Sequence, residues 1–433
     1  MNLGVVTQWV PPELIDRVVA AHARADQVPN ALPLRLMVYY ALALAMFSQD
    51  SYEDVMDNLV SGIPELAADV PAKSSIFVAR QRLGARAMQE IFREVVRQVA
   101  NKDTPGAFWR EQLVMGIDGF MLDVPDSKEN RTYFGSTGTT NGGAPYPKVR
   151  VVTLVEAGTR AIRGAVIGQS GYGERELAQD LAPLTGPDMI VIFDRGFPSC
   201  DLIDRFNATG SAVVMRAASN IARNATAVLP DGSYLAELRN DYAKERVTVR
   251  VVEYQVDGSA TVRLLTNLLD PGQAPAQELA QLYSQRWESE SSNRQLKTFQ
   301  HGPEAVLRSK SPTLVLQEIW AYLTVNHCLS RLAGVIANQR GIDPDGISFT
   351  KVLKEARRSV IRQSADTLTK AVDAVQAIAQ DLRRFGHRVT PGRSAPRSLK
   401  RILKRFPRRS TSRDQPVMTK NPPKHISLQP ILA

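Results

Sequence analysis

The feature that most limits how this chain folds is an aspartate inside an apolar, strand-like run. Asp118 lies between Ile117 and Phe120 in the run LVMGIDGFMLDVP, whose large and β-branched residues predict a buried strand. A carboxylate without a partner is unfavourable in such a setting. The fold is therefore expected to bring a cationic group to Asp118, and a bound metal ion is one such group.

Further β-rich runs follow this strand and predict a mixed sheet of the α/β class. They are PKVRVVTLVEAGTRAIRGAVIG and MIVIFDRGF, with a helix predicted from Glu174 to Leu184 between them. Asp194 follows MIVIF in the later run, where a ligand-binding crevice is expected at the ends of strands. A simple turn cap ahead of Gly196 remains an alternative role for Asp194.

A helix is predicted across Tyr283 to Lys297, YSQRWESESSNRQLK, because neither Pro nor Gly interrupts it. At about 100° per residue, four of its side chains share an arc about 60° wide. They are Tyr283, Arg286, Glu290 and Lys297. Glu288 points about 160° away from Glu290 and is expected to face elsewhere. Taken alone, the pattern also fits a solvent-exposed helix face with local ion pairs.

The remaining segments are predicted to be helical at both ends of the chain. SSIFVARQRLGARAMQEIFREVVRQV has the turn-then-helix character of a DNA-binding unit, although a bundle serving only as a scaffold, with Arg80 and its neighbouring arginines exposed, is the alternative. The predicted segments are a helical N-terminal DNA-binding domain over 1–108, a first core part over 109–216, a β-rich insertion over 217–272, a second core part over 273–340, and a helical region with a basic tail over 341–433.

Composition argues against export and membrane insertion. The longest apolar run, Leu32 to Phe47, contains Arg35 and is too short to span a bilayer, and no signal-peptide pattern precedes it. The single cysteines, Cys200 and Cys328, argue against a disulfide or a zinc site. The net charge of +10 is concentrated between Arg383 and Arg413, where about a dozen Arg and Lys occur without Asp or Glu. This tail is predicted to contact nucleic acid, although like-charge blocks are also common in disordered termini.

Three acidic residues thus stand on separate predicted elements. They are Asp118, Asp194 and Glu290. Carboxylates placed in this way can hold two Mg²⁺ ions about 3.5–4 Å apart, which activate a water or a 3′-hydroxyl for phosphodiester transfer. The other side chains of the helix face would then bind backbone phosphates, Arg286 and Lys297 as cations and Tyr283 as a hydrogen-bond donor.

These residues resemble a known family. The order Asp, Asp, Glu, with Tyr-x2-Arg-x3-Glu-x6-Lys around the glutamate, is similar to the pattern of the DDE transposases of the insertion-sequence-four family. Supporting stretches are MGIDGFMLDVPDSKENRTYFG, YPKVRVVTLVEAGT and VIFDRGFPS. The similarity runs from about Leu32 to Ile336.

The resemblance implies an RNase H-like catalytic core that carries the β-rich insertion, plus a helical N-terminal domain that helps to bind DNA. It implies cut-and-paste transposition through a hairpin at the element ends, with two Mg²⁺ ions or Mn²⁺ as a substitute. The implied partners are the terminal inverted repeats and the target DNA, bound by a homodimer in the bacterial cytoplasm, associated with the nucleoid and not with a membrane. An aromatic residue of the insertion commonly stacks on a flipped base, and the candidates here are Tyr234, Tyr242 and Tyr254.

Two other functions remain open from the sequence. A nuclease of the same fold would cut DNA without joining it. A non-catalytic DNA-binding protein derived from a transposase would do neither. Because all three acids and the helix cations are present in the chain, the catalytic interpretation is favoured.

Overall fold

The computed structural model describes residues 3–23, 32–60, 71–135, 146–222, 224–240, 244–256, 261–303, 305–362 and 426–428. The basic segment between Arg383 and Arg413 and the aromatic candidate Tyr242 lie outside these residues.

The strands of the described chain are given in chain order. They are β1 (Phe108–Trp109), β2 (Gln112–Asp123), β3 (Lys148–Glu156), β4 (Ile162–Gln169), β5 (Met189–Phe193), β6 (Ala212–Ala217), β7 (Ala225–Val228), β8 (Tyr234–Asn240), β9 (Glu245–Val256), β10 (Val262–Thr266) and β11 (Ile426–Leu428).

The helices alternate with these strands and dominate both ends of the described chain. They are α1 (Pro12–His22), α2 (Leu34–Met46), α3 (Tyr52–Val60), α4 (Lys73–Val95), α5 (Lys128–Phe134), α6 (Glu174–Ala178), α7 (Cys200–Ala208), α8 (Ala276–Leu282), α9 (Trp287–Arg294), α10 (Pro312–Arg340) and α11 (Phe349–Arg362). Shorter 3₁₀ turns cover Gly4–Gln8, Gln179–Leu184, Tyr283–Arg286 and Pro344–Gly346, and a π-helical turn covers Gln295–Gln300.

The chain divides into two compact units. Unit 1 consists of Met1–Phe108, Ile117–Leu184 and Glu288–His387, and unit 2 consists of Trp109–Gly116, Thr185–Trp287 and Arg388–Ala433. Strand β2 and helix α9 each begin in unit 2 and continue in unit 1. The five predicted segments and their boundaries stay a prediction beside this division.

Unit 1 is built around one apolar core. Its strands follow the order β4-β3-β2, and β3 pairs antiparallel with β4. The core joins the N-terminal helices to these strands, with Tyr39, Val149 and Leu329 among its buried members. Helix α10 runs through this core, where the Trp320 ring lies 5.3 Å from the ring of Phe92. The N-terminal helices and the strands of unit 1 therefore stabilise each other through shared apolar burial.

Helix α4 is interrupted at Gly84, which has φ 68° and ψ 179°. This break divides α4 into two helical segments, and the DNA-binding character predicted for the segment stays a prediction. The Arg80 side chain donates hydrogen bonds to Gln317 at 2.9 Å and to Ser309 at 3.2 Å, and it is buried. The expectation that Arg80 would face solvent in a helical bundle is therefore wrong, because the carbonyl and hydroxyl oxygens near α10 give this cation buried partners.

In unit 2, the strands follow the order β2-β5-β6-β10-β9-β8-β7. Strands β5 and β6 are parallel, whereas β10 pairs antiparallel with β6, and the pairs β10–β9, β9–β8 and β8–β7 are also antiparallel. The predicted β-rich insertion, which holds β7 to β10, thus continues the sheet beyond β6. None of the described helices is both long and apolar enough to cross a membrane.

Candidate active site

Asp118 lies on strand β2 in unit 1 and has two hydrogen-bond donors. Its Oδ1 accepts from the Gly119 backbone N–H at 2.9 Å, and its Oδ2 accepts from the Asn293 side-chain amide at 2.9 Å. The carboxyl group is only partly exposed. Both donors are neutral and do not offset the negative charge of the carboxylate, so the cationic partner that the sequence predicts for Asp118 stays a prediction.

The pKa of the Asp118 carboxyl is raised from 3.8 to about 6, chiefly because burial penalises the charged form. The hydrogen bonds from Gly119 and Asn293 oppose this rise, while the negative charges of Glu290 and Glu174 add to it. The negative charges of Glu290 and Glu174, both in unit 1, therefore act on the Asp118 carboxyl. An added cation would stabilise the ionised form of Asp118.

Glu174 reaches this region from the first turn of helix α6. A Cβ atom placed on Gly119 would lie 2.7 Å from Cγ and Cδ of Glu174, so only glycine leaves room for the glutamate beside Asp118. The Glu174 carboxylate accepts a hydrogen bond from Arg150 at 2.5 Å. From the sequence, Glu174 is recognisable only as the start of a helix, because no local pattern shows which strand the helix packs on.

The predicted helix over residues 283–297 is confirmed, but its geometry changes along its length. It is 3₁₀ over Tyr283–Arg286, α-helical over Trp287–Arg294 and π-helical from Gln295. The angle of 100° per residue therefore applies only within α9.

One face of α9 and the turn after it carry Glu290, Asn293 and Lys297. Glu290 and Asn293 are three residues apart, a spacing that places two side chains on one side of an α-helix. The Lys297 ammonium lies 5.9 Å from the centroid of the Phe120 ring. Phe120 and Asp118 share one face of β2, because successive side chains on a strand alternate. The helix face and the strand face of unit 1 thus present a carboxylate, an amide and a cation near Asp118.

Glu288 points to a different set of partners, as predicted from helical geometry. Its carboxylate is buried and forms an ion pair with Arg160 at 2.5 Å. Arg160 also pairs with Asp345, and its own side chain is largely buried. Glu288 is therefore a structural residue that links α9 to the β3–β4 turn.

In unit 2, Asp194 follows strand β5 and lies beside Arg286. The Asp194 Oδ1 accepts from the Arg195 backbone N–H at 2.7 Å, which is the turn-cap contact considered as an alternative. Its Oδ2 lies 3.5 Å from Nη1 of Arg286, and its side chain is 42% exposed. The Arg286 guanidinium lies 4.8 Å from the Trp287 ring centroid, within the range of a cation–π contact. Asp194 therefore combines a turn cap with an accessible carboxylate.

Tyr283 is buried, with 1% of its surface exposed, and burial raises the pKa of its phenol. Within the described part of the chain, its hydroxyl has no hydrogen-bond partner. A phosphate contact by Tyr283, as predicted, would require this hydroxyl to become accessible. Tyr234 and Tyr254 are also buried, so in this conformation neither candidate of the insertion presents its ring to a flipped base.

The residues around Asp118 suit a hard divalent cation, since their donors are carboxylate oxygens and a cation would offset the burial of the Asp118 charge. Among the described residues, no group of three or more His, Cys, Asp or Glu side chains forms a ready-made ligand set for one ion. The ligand set of Asp118, Asp194 and Glu290 stays a prediction.

Two models of known protein families match the chain. Residues 1–93 match the family model of the insertion element 4 transposase N-terminal region, and residues 109–324 match the transposase DDE domain. The chain belongs to the insertion element 4 family of DDE transposases. The RNase H-like core with a β-rich insertion, and the helical N-terminal region, are thereby confirmed as its fold.

Two curated transposases from Escherichia coli K12 are similar to this family member. The transposase InsG for insertion sequence element IS4 is 27% identical over 415 residues, which cover 92% of this chain and 91% of that protein. The putative transposase InsZ is 27% identical over 205 residues, which cover 47% of this chain and 67% of that protein. Among solved structures, the chain was matched to a cryo-EM structure of the piggyBac transposase synaptic complex with hairpin DNA. The match covers 90% of this chain and 86% of the piggyBac chain, with a TM-score of 0.47 and 11% sequence identity.

Membership of the DDE transposase family implies that this chain is a metal-dependent enzyme that cleaves DNA and transfers DNA strands. Within that setting, sequence analysis missed Glu174, Asn293 and Thr153, whose hydroxyl donates to Asn293 Oδ1 at 3.1 Å. Asn293 was within reach of sequence reasoning, because it follows Glu290 by three residues on the same helix. Glu174 and Thr153 depend on tertiary packing and left no local signal.

Proposed function

We propose that this transposase moves its element by cut-and-paste transposition, through a hairpin at each element end. Water first cuts one strand at the element end and frees a 3′-hydroxyl, which attacks a phosphodiester of the opposite strand, so that the hairpin forms and the flanking DNA leaves. Water then reopens the hairpin, and the freed 3′-hydroxyls attack phosphodiesters of the target DNA, each displacing a target 3′-oxygen. The observation that carries the proposal is the partly buried Asp118 carboxylate, close to the charges of Glu290 and Glu174 and held by neutral donors. Such a group is poised to bind a cation.

Asp118, Asp194 and Glu290 are the proposed metal-binding residues, with two Mg²⁺ ions as the natural cofactor and Mn²⁺ as a substitute. The ions, when bound, activate the attacking hydroxyl and stabilise the leaving oxygen. Asp194 suits this role because its carboxylate is accessible although one oxygen caps a turn. The oxygen-only donor set favours Mg²⁺ over softer metals.

Arg286, Lys297 and Tyr283 are the proposed phosphate-binding residues. The Arg286 guanidinium is held against Trp287, which prepares its planar fork for bidentate contact with a phosphate. Lys297 places its ammonium over Phe120, on the strand face of Asp118. The buried hydroxyl of Tyr283 is an unused donor within the described chain, and DNA binding would have to open its surroundings.

The proposed partners are double-stranded DNA, as terminal inverted repeats and as target, and a second copy of the chain. Pairing of two element ends requires two active sites or one site used in turn, which favours a homodimer on DNA. The formal charge of +10 supports polyanion binding. The predicted DNA-binding role of residues 1–108 belongs to the same proposal.

The test is strand cleavage of a DNA duplex that carries the element end, in Mg²⁺. We expect Asp118→Ala, Asp194→Ala and Glu290→Ala to abolish cleavage while DNA binding is retained. Glu288→Gln is the matched control, because it keeps the volume of the side chain and a hydrogen bond to Arg160. Full cleavage by Glu290→Ala would overturn the assignment of the site.

A second measurement separates transposition from simple cleavage. We expect a donor with two element ends to yield hairpin intermediates on a denaturing gel and then products joined to a target plasmid. Cleaved ends without joined products would support the nuclease alternative. Binding without cleavage would support a DNA-binding protein derived from a transposase.

A further inference from the structure

Asn293 occupies a position between the proposed metal-binding strand and the proposed metal-binding helix of unit 1. Its side-chain amide nitrogen lies 2.9 Å from Asp118 Oδ2, and its amide oxygen accepts from the Thr153 hydroxyl at 3.1 Å. Both residues are buried, with Asn293 5% exposed and Thr153 fully buried. The amide is thus held at both ends.

The orientation of this amide follows from the chemistry of its two neighbours. An ionised carboxylate only accepts hydrogen bonds, so the Asn293 NH₂ group must face Asp118. The amide oxygen then faces Thr153, whose hydroxyl can donate. Reversal of the amide would place two oxygen acceptors against each other beside Asp118. The Asp118 carboxylate therefore selects the amide orientation, and the Thr153 hydroxyl supports it by donating to the amide oxygen.

Two hydrogen bonds, one to each carboxylate oxygen, fix the rotation of the Asp118 carboxylate. Oδ1 accepts from the Gly119 backbone N–H and Oδ2 accepts from Asn293, so rotation of the carboxylate about its χ2 angle would break both bonds. Each carboxylate oxygen has a further lone pair for a cation. A carboxylate that is fixed before a metal arrives loses less conformational freedom when it binds.

We propose that Asn293, supported by a hydrogen bond from Thr153, is a positioning residue that holds Asp118 in the geometry for binding a divalent cation. The inference rests on the proposed role of Asp118 as a metal ligand. Asn293 acts through Asp118 and is not itself a ligand, since its amide oxygen is engaged by Thr153. Partners of this kind, behind a metal ligand, typically change metal affinity or activity by about 10–100-fold when they are removed.

The test measures Mn²⁺ binding to the full chain in complex with element-end DNA, from the electron paramagnetic resonance signal of free Mn²⁺. We expect Asn293→Ala to weaken Mn²⁺ binding about 10-fold or more, and Thr153→Val to weaken it less. Asn293→His should restore part of the affinity, because the Nδ1 of histidine stands at the same distance along the side chain as the asparagine amide. DNA affinity in the absence of divalent ions should be unchanged in all three variants.

Asn326→Ala is the matched control, because Asn326 is a buried asparagine of unit 1 whose amide bonds to Gln300 at 3.4 Å. It should bind Mn²⁺ as the unmodified chain does. Unchanged Mn²⁺ affinity in Asn293→Ala would overturn the inference, and if that variant fails to fold, unchanged affinity in Thr153→Val would do so. Failure of the proposed function is distinguishable, since Asp118→Ala would then leave both Mn²⁺ binding and cleavage intact.

Discussion

At the scale of single residues, the buried Asp118 carboxylate lowers the stability of the fold, while the same charge suits the binding of a cation. Its pKa is raised from 3.8 to about 6 because burial and the charges of Glu290 and Glu174 disfavour its ionised form. As pH rises from about 4, the unfolded chain therefore loses this proton before the folded chain does. The free energy of unfolding therefore falls between pH 4 and pH 6, and it stays at the lower value above pH 6.

We expect Asp118→Asn to raise the free energy of unfolding by about 1–3 kcal/mol at pH 7.5 without metal, because a neutral amide avoids this penalty. The gain should vanish below pH 4, where the aspartate is protonated in both states. Urea unfolding at the two pH values measures the difference. A gain that does not depend on pH would show that charge is not its cause.

Glu288 and Glu290 are two positions apart and should respond differently to removal. Glu288→Ala leaves the Arg160 guanidinium with Asp345 as its remaining carboxylate partner, and we expect a loss of about 1–3 kcal/mol of stability. Glu290→Ala should leave stability unchanged or higher and abolish cleavage, because the Glu290 charge raises the pKa of Asp118. Thermal unfolding with a parallel cleavage assay separates the two effects, and equal destabilisation by both would contradict the assignment.

At the scale of elements, helix α4 depends on the backbone at Gly84. Its φ of 68° and ψ of 179° lie in a region that is essentially restricted to glycine. The Gly84 carbonyl accepts from the Gln317 side chain at 3.0 Å, and the Arg80 carbonyl accepts from the same amide group at 2.9 Å. Helix α10 thereby satisfies the carbonyl groups that the break in α4 releases.

We expect Gly84→Ala to destabilise the protein by about 1–3 kcal/mol, because the added methyl group meets open space but the backbone angles become unfavourable. Gly171→Ala is the matched control, since a Cβ atom added to Gly171 would also meet open space, and Gly171 does not have a positive φ. Chemical unfolding of both variants gives the comparison. Equal stability of the two variants would show that the break relaxes without strain.

The sequence predicted most elements but fewer of the contacts between them. Periods of 3.6 and 2 residues were enough to locate β2, β5, α9 and α10 and to separate Glu290 from Glu288. The same reasoning did not resolve β7 and β8, which are short strands in a polar segment. Buried positions of polar residues such as Arg80 and Tyr254 depend on partners far along the chain, and no local pattern reports them.

At the scale of the whole chain, the apolar core of unit 1 is assembled from distant segments. Leu3 and Val5 at the start of the described chain are buried in the same core as α10 and as Val352 of α11. The Ser359 hydroxyl also accepts from the Val5 backbone N–H at 3.0 Å. The N-terminal residues thus contribute to the packing of elements that follow them by more than three hundred positions.

A chain without residues 1–108 would expose the apolar side of α10, where Trp320 packs on Phe92. We expect this fragment to lose the protection of the α10 amides in hydrogen exchange, because burial of its side chains provides most of the stability of such a helix. Phe92→Ala in the full chain should lower the same protection by about 3–5 kcal/mol, without removing it. Native-like protection of α10 in the fragment would show instead that this helix is stable without the N-terminal helices, in line with the predicted boundary at residue 108.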